Sequence, residues 1–171
     1  MRTLVAISFA ALASAWLAAT PAAAKDSNAK FKTVEAKHFE RAEGVELTPE
    51  FSDYLYAELR TQLQKTRMFA QVIGEGEVVE DADAPASVVV TGTLTEYKKG
   101  NAVESKIIGY GTGRRSLKLH VTVARRSDQK ILGNLEVHVK AAPNLNEKLL
   151  AVEAAKQIAN KVKDSLEHEA S

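Results

Sequence analysis

The chain of 171 residues is 45% hydrophobic and 26% charged, a balance typical of an ordinary folded domain. Its 23 Lys plus Arg nearly match its 22 Asp plus Glu, and a formal charge of +1 excludes the strong basic field of a nucleic-acid or anionic-membrane binder. The absence of cysteine excludes disulfides, thiolate nucleophiles, zinc–thiolate sites and iron–sulfur clusters. We therefore expect no cofactor and no nucleic-acid partner.

The first 24 residues have the pattern of a secretory signal peptide. Arg2 is followed by an apolar run from Leu4 to Ala19 and by the small residues Ala22-Ala23-Ala24. We expect cleavage after Ala24, because the apolar run is shorter than the ~20 residues that an uncleaved membrane anchor needs. Without a cysteine the mature N-terminus cannot carry a lipid. The sequence predicts a periplasmic protein that is not a lipoprotein and has no membrane span after cleavage.

The mature chain is predicted to be one domain with short tails. Residues 25–30 form a flexible polar tail, residues 31–166 a single α+β domain, and residues 167–171 a C-terminal tail. The domain begins with a strand within Phe31–Phe39. A helix then starts at Thr48, whose hydroxyl caps the backbone, with Pro49 in the first turn. Its apolar residues recur at helical spacing and predict one buried stripe: Phe51, Leu55, Leu59 and Leu63.

Four further strands are predicted before the last helix. The first two are Phe69–Ile73 and the Val- and Thr-rich run Ser87–Tyr97. The other two form a hairpin, because apolar residues occupy alternate odd positions in SLKLHVTVARR and in ILGNLEVHVK. Arg125, Arg126 and Lys130 are interpreted as a solvated hairpin tip.

The predicted order is β-α-β-β-β-β-α, with the last helix over residues 146–166. This order favours an α+β fold in which a mainly antiparallel sheet of four to five strands carries two helices on one face.

Two histidines share the polar face of the predicted hairpin. One register places His120 directly opposite His138, and the alternative places His120 opposite Glu136 and Lys118 opposite His138. Because a metal site needs three or four converging ligands, we expect no metal site here. His120 and His138 stay candidates for a weak surface metal site or a pH-sensitive patch.

An alternating-glycine run, IIGYGTGRRS, precedes the hairpin. Its spacing fits neither a Walker loop nor a dinucleotide fingerprint, and it leads into a strand, where glycines mark a bulge or a close backbone approach. The alternative is contact with an anionic envelope component, helped by Lys98 and Lys99. The candidate binding residues are Gly109, Gly111, Gly113, Arg114 and Arg115.

Three stretches carry a family resemblance: VVVTGTLTEYKKGN, the IIGYGTGRRSLKLHVTV run, and ILGNLEVHV. With the preceding LTPEFSDYLYAELRTQLQKTRMFAQVI, they resemble the exported bacterial family known as domain of unknown function "forty-four ten". The resemblance implies an envelope-associated α/β domain without an assigned activity, and it supplies no catalytic residues.

The sequence contains no recognisable catalytic motif, so we expect no enzymatic activity. The leading hypothesis is a soluble periplasmic binding or adaptor domain that recognises an envelope protein or an anionic envelope component through its sheet edge or glycine run. The alternative is a small-molecule carrier with an apolar cleft between sheet and helices. An enzyme is a distant third, and the oligomeric state is open.

Overall fold

The computed structural model describes residues 31–78, 81–99, 115–141 and 146–170. Two helices and a sheet form the domain, which confirms the predicted α+β class. In chain order the elements are β1 (Thr33–Ala36), β2 (Glu40–Arg41), α1 (Pro49–Lys65), β3 (Gln71–Ile73), a 3-10 helix (Asp81–Ala86), β4 (Ser87–Lys98), β5 (Arg115–Arg125), β6 (Ile131–Ala141) and α2 (Glu147–Ala170).

The sheet is mixed and has six strands among the described residues. Its main order is β3-β1-β4-β5-β6, and β2 also pairs with β4. β1 runs parallel to β3 and β4, and β2 runs parallel to β4. The expectation of four to five mainly antiparallel strands holds for the β4-β5-β6 half and needs correction for the rest. The physical reason is α1, which carries the chain across so that β3 can run parallel to β1.

The β5–β6 hairpin has the predicted alternation. Leu119 lies opposite Val137 and Leu117 opposite Val139, so the two apolar sets share one face. Lys118 lies opposite His138 and His120 opposite Glu136. The structure therefore selects the second of the two registers that the sequence left open.

Both helices cover the apolar face of the sheet. The Thr48 hydroxyl accepts a hydrogen bond from the backbone N–H of Phe51, which confirms the predicted start of α1. The stripe of α1 is buried as predicted. Its partners in the core come from α2 and from the hairpin: Leu150, Ala151, Ala154, Ala155, Ile158, Val162, Leu166, Leu117, Leu119, Val121, Val123, Val137 and Val139.

Helix α2 extends beyond its predicted end. Residues 167–170, expected as tail, continue the helix to Ala170. The Nζ atom of Lys130, at the hairpin turn, lies 3.1 Å from a carboxylate oxygen of Glu169 and ties this last turn to the sheet. Within the described residues, neither helix combines the length and apolar character needed to cross a bilayer.

Candidate functional site

The sheet face that points away from the helices is polar along β4, β5 and β6. Rows of side chains cross the three strands, such as Thr91, Thr122 and Asn134, where the hydroxyl of Thr122 lies 3.2 Å from the amide oxygen of Asn134. The β6 residues of this face, Asn134, Glu136, His138 and Lys140, are all exposed. We call this surface the open face. Within the described part of the chain its β6 side is uncovered, whereas Arg126 covers its far end beside Glu35 and the start of β4.

The two candidate histidines lie in neighbouring rows of the open face. The Nδ1 atom of His120 is 3.6 Å from a carboxylate oxygen of Glu136, while His138 lies opposite Lys118. Both imidazoles line a shallow groove of about 470 Å³. They are not placed opposite each other, and among the described residues no three His, Asp or Glu side chains converge to hold a metal ion.

Glu96 and two lysines form an ion cluster beside this groove. Its carboxylate oxygens lie 2.7 Å from Nζ of Lys118 and 3.3 Å from Nζ of Lys98, and it accepts a hydrogen bond from the Ser116 hydroxyl. The hydrogen bond from Lys118, followed by that from Lys98, lowers the pKa of Glu96 to about 2. The candidate cation Lys98 is therefore already paired with a carboxylate.

Arg115 marks the end of the sheet to which the glycine run connects. Its guanidinium lies 3.6 Å from the carboxylate of Glu147, at the start of α2, so a neighbouring charge balances it. Its Nε atom is buried and has no hydrogen-bond partner among the described residues. The other candidate binding residues lie outside the described residues: Gly109, Gly111, Gly113 and Arg114.

Tyr97 belongs to the same end of the sheet. Its ring packs on Phe51 with centroids 5.3 Å apart. Burial, followed by the hydrogen bond with Glu147, raises the pKa of Tyr97 to about 12. The phenol is thus neutral at physiological pH, and it acts as a packed link between β4 and the helices.

An ion pair that the sequence did not indicate joins the hairpin turn to β1. The carboxylate of Glu35 is only 6% exposed and contacts the guanidinium of Arg126. The backbone N–H of Arg126 also donates to the carbonyl of Ser87, at 2.9 Å. The sequence pattern predicts Arg126 to be part of a solvated tip. The structure corrects this, because the turn folds back over the first residues of β4 and β1.

His38 forms a second cluster that the sequence did not indicate. Its ring stacks on Tyr56 of α1 at 3.8 Å between centroids. Its Nδ1 atom lies 3.1 Å from the carboxylate of Glu75, and its Nε2 atom lies 3.7 Å from that of Asp53. The hydrogen bond from His38 lowers the pKa of Glu75. This cluster ties the chain after β1 and the turn after β3 to α1.

The two edges of the sheet differ. β3 has three residues, and the turn that follows it is fixed by the backbone N–H of Glu75, which donates to the Tyr56 hydroxyl at 3.0 Å. β6 has eleven residues, and among the described residues it pairs on one side only, with β5. The outer backbone N–H and C=O groups of β6 therefore face no partner strand within the described residues.

A family model for a domain of unknown function, DUF4410, matches residues 18–144. The chain belongs to the DUF4410 family. This assignment confirms the resemblance carried by the TGTLTEY strand and the glycine run. No curated protein matches the chain.

Solved structures share the fold at low sequence identity. A PelC dodecamer from Paraburkholderia phytofirmans has a TM-score of 0.56 and 13% identity, over 76% of this chain and 86% of PelC. The hypothetical protein CT253 from Chlamydia trachomatis has a TM-score of 0.54 and 10% identity, over 80% of this chain and 98% of CT253. Protein XCC0632 from Xanthomonas campestris has a TM-score of 0.51 and 11% identity, over 77% of this chain and 81% of XCC0632.

Proposed function

We propose that this DUF4410 protein is exported to the periplasm, where it acts as a non-catalytic binding or adaptor domain for another envelope component. The observation that carries the proposal is the contrast between a buried apolar core and the exposed, charged β6 side of the open face, whose outer edge pairs with no strand among the described residues. Backbone groups on such an edge recruit partners by strand addition, while the alternating side chains select them.

The polar groups of the described residues fit a contact surface better than a catalytic centre. His120 and His138 are exposed, so water screens any charge that would develop beside them. His38 is held between two carboxylates and its side chain is 43% exposed, so water also reaches this cluster. In PelC, a protein of similar fold, the chains assemble as a dodecamer, an example of the fold used in protein–protein contact.

The lack of cysteine makes a direct contact test practical. A single cysteine at Glu136, whose side chain is 83% exposed, accepts a photocrosslinking maleimide without background labelling. The matched control is a cysteine at Lys156, on the exposed side of α2. Irradiation in periplasmic extract should give a discrete adduct from position 136 and none from position 156. No adduct from either position, or the same adducts from both, would contradict the proposal.

Binding of an anionic envelope component by Arg114 and Arg115 can be tested separately. Neutralising both arginines as R114Q/R115Q should weaken binding of an anionic envelope component if that end contributes. The measurement is cosedimentation with anionic envelope polysaccharide, beside a variant in which Lys156 and Lys161 on α2 are changed to Gln. Equal binding by both variants would remove the glycine run from the proposed contact surface.

Export to the periplasm is tested by the N-terminus of the native protein. We expect the protein recovered from the periplasmic fraction to begin at Lys25, because cleavage is predicted after Ala24. N-terminal sequencing of the purified protein measures this. A retained Met1 in the native molecule would contradict it.

A carrier function is the second candidate, and a specific groove favours it. The half-buried Leu132 and Leu135 line a groove of about 440 Å³ between β6 and α2, with Ser165 and His168 beside them. Native mass spectrometry of protein purified from its own host separates the two functions. A carrier should retain a small ligand at constant added mass, whereas a contact domain should not.

A further inference from the structure

We infer that the partner which pairs with the edge of β6 is a second copy of this chain, joined antiparallel about a two-fold axis. The inference rests on the proposed contact role of β6 and names the partner for its edge. It is carried by the order of the polar side chains along β6 and by the half-buried Leu132 and Leu135 in the groove between β6 and α2.

The two-fold symmetry limits the register to a few choices. Side chains alternate between faces, so even-numbered residues must meet even-numbered residues if both open faces are to stay polar. The register that aligns all eleven residues of β6 opposes Glu136 to itself, and like charges directly opposite are destabilising. A shift by one pair places Glu136 of one copy opposite His138 of the other and still aligns Gly133–Ala141.

The charges of the hairpin continue across that junction. In each copy Lys118 lies opposite His138, and Lys118 also contacts Glu96 at 2.7 Å. The joined row would therefore run Glu96, Lys118 and His138 in one copy, then Glu136 and His120 in the other. In this row Glu136 of one copy lies between His138 of the other copy and its own His120, whose Nδ1 atom is 3.6 Å from the Glu136 carboxylate. The two-fold axis creates the same row a second time.

The helix side of the junction is apolar in the same register. Val137 meets Val137 on the axis, and Leu135 meets Val139 of the second copy. The axis is normal to the sheet, so both helical layers lie on the same side. Leu132 and Leu135, half-buried in the groove between β6 and α2, would gain cover from the second copy.

Disulfide trapping tests the register. Directly opposite residues have Cβ atoms about 4.5–5.5 Å apart, near disulfide range, whereas diagonal neighbours are about 7–8 Å apart. We expect an equimolar mixture of E136C and H138C to form a mixed disulfide about tenfold faster than either variant forms one alone. Equal rates would overturn the register, and no crosslinking in any sample would overturn the pairing.

Charge-reversal substitutions test whether two copies of the chain associate through β6. In the mature full-length chain, E136K should weaken self-association about tenfold, because both symmetric pairs lose the carboxylate that faces His138. E136K/H138E should restore it, and E153K on the exposed side of α2 should leave it unchanged. Sedimentation velocity across a concentration series measures each. A monomeric wild type, or an oligomer that E136K and E153K affect equally, overturns the inference.

The outcomes keep this inference separate from the proposed function. A monomeric protein that still gives an envelope adduct from position 136 overturns the self-pairing and leaves the adaptor function standing. A dimer whose only adduct is a second copy supports the self-pairing and contradicts the adaptor function.

Discussion

The two halves of the sheet differ in strand length and in the surroundings of their polar side chains. The parallel half, β3-β1-β4, ends at a three-residue strand and is fixed by the Glu35–Arg126 pair and the His38 cluster. The antiparallel half, β4-β5-β6, ends at an eleven-residue strand with an exposed charged face. The comparison teaches that the polar groups named in the first half join segments of the fold to one another, whereas the polar side chains of β6 in the second half face solvent.

The largest expected effect comes from the buried pair of the parallel half. R126A leaves the Glu35 carboxylate buried without its partner, and we expect it to lower the free energy of unfolding by about 3 kcal/mol. Urea unfolding followed by circular dichroism measures this. K130A is the matched control, because Lys130 pairs with Glu169 at the surface and should cost less than about 1 kcal/mol. A similar loss in both variants would contradict the assigned difference.

Gly92 gives the next largest effect, at the junction of the two halves. A Cβ atom there would lie 2.5 Å from the carbonyl oxygen of His120 and 2.9 Å from the Phe39 ring. Because the nearest atom belongs to the backbone and cannot rotate away, we expect G92A to lower the free energy of unfolding by about 2 kcal/mol through overpacking.

G133A is the variant with which G92A is compared. The nearest atom to its Cβ is the rotatable hydroxyl of Ser165 at 2.3 Å, and G133A/S165A should recover part of its cost. Thermal unfolding of the wild type, G92A, G133A and G133A/S165A measures the order of their stabilities. Equal stability of wild type and G92A would show that β4 and β5 can separate there at little cost.

A smaller effect is expected at the His38 cluster. Y56F removes the oxygen that accepts the Glu75 N–H and should cost about 1 kcal/mol, with hydrogen exchange rising in the turn after β3. Y54F, on the same helix, should leave exchange in that turn unchanged. Faster exchange in β6 rather than in the turn would contradict a role for Tyr56 in closing this edge.

The smallest effect is a pH dependence in the antiparallel half. The pKa of Glu96 falls from 4.5 to about 2 on folding, because Lys118 and then Lys98 hydrogen-bond its carboxylate. Its stabilisation is present above pH 4.5 and is lost as the pH falls through about 2. E96Q should therefore show a flatter decline in unfolding free energy across this window. Parallel wild-type and E96Q curves in urea titrations would contradict the assignment.

The sequence predicted the regions in which local patterns decide the structure. The α1 cap at Thr48, the hairpin alternation and the two-helix layer follow from residue spacing alone. The parallel pairing of β1 could not be predicted, because short strands carry no signal for direction. Glu35 and Arg126 are 91 residues apart, so their contact depends on the tertiary fold.

The candidate site was predicted in part. The shared polar face of His120 and His138 followed from period-two alternation, but choosing between the two registers required the fold. His38 carried no signal, since its partners come from α1 and from the turn after β3. Arg115 was named for its position after the glycine run, and Glu147, which balances its charge, is 32 residues away in the chain.

Solvent accessibility in the native envelope tests the central claim most directly. Cysteines at Glu136 and Lys156 can be labelled with a small hydrophilic maleimide in intact cells and in dilute purified protein. We predict that position 136 reacts readily in the purified protein and slowly in cells, while position 156 reacts readily in both. Equal reactivity of the two positions in cells would contradict the claim that β6 is a contact surface.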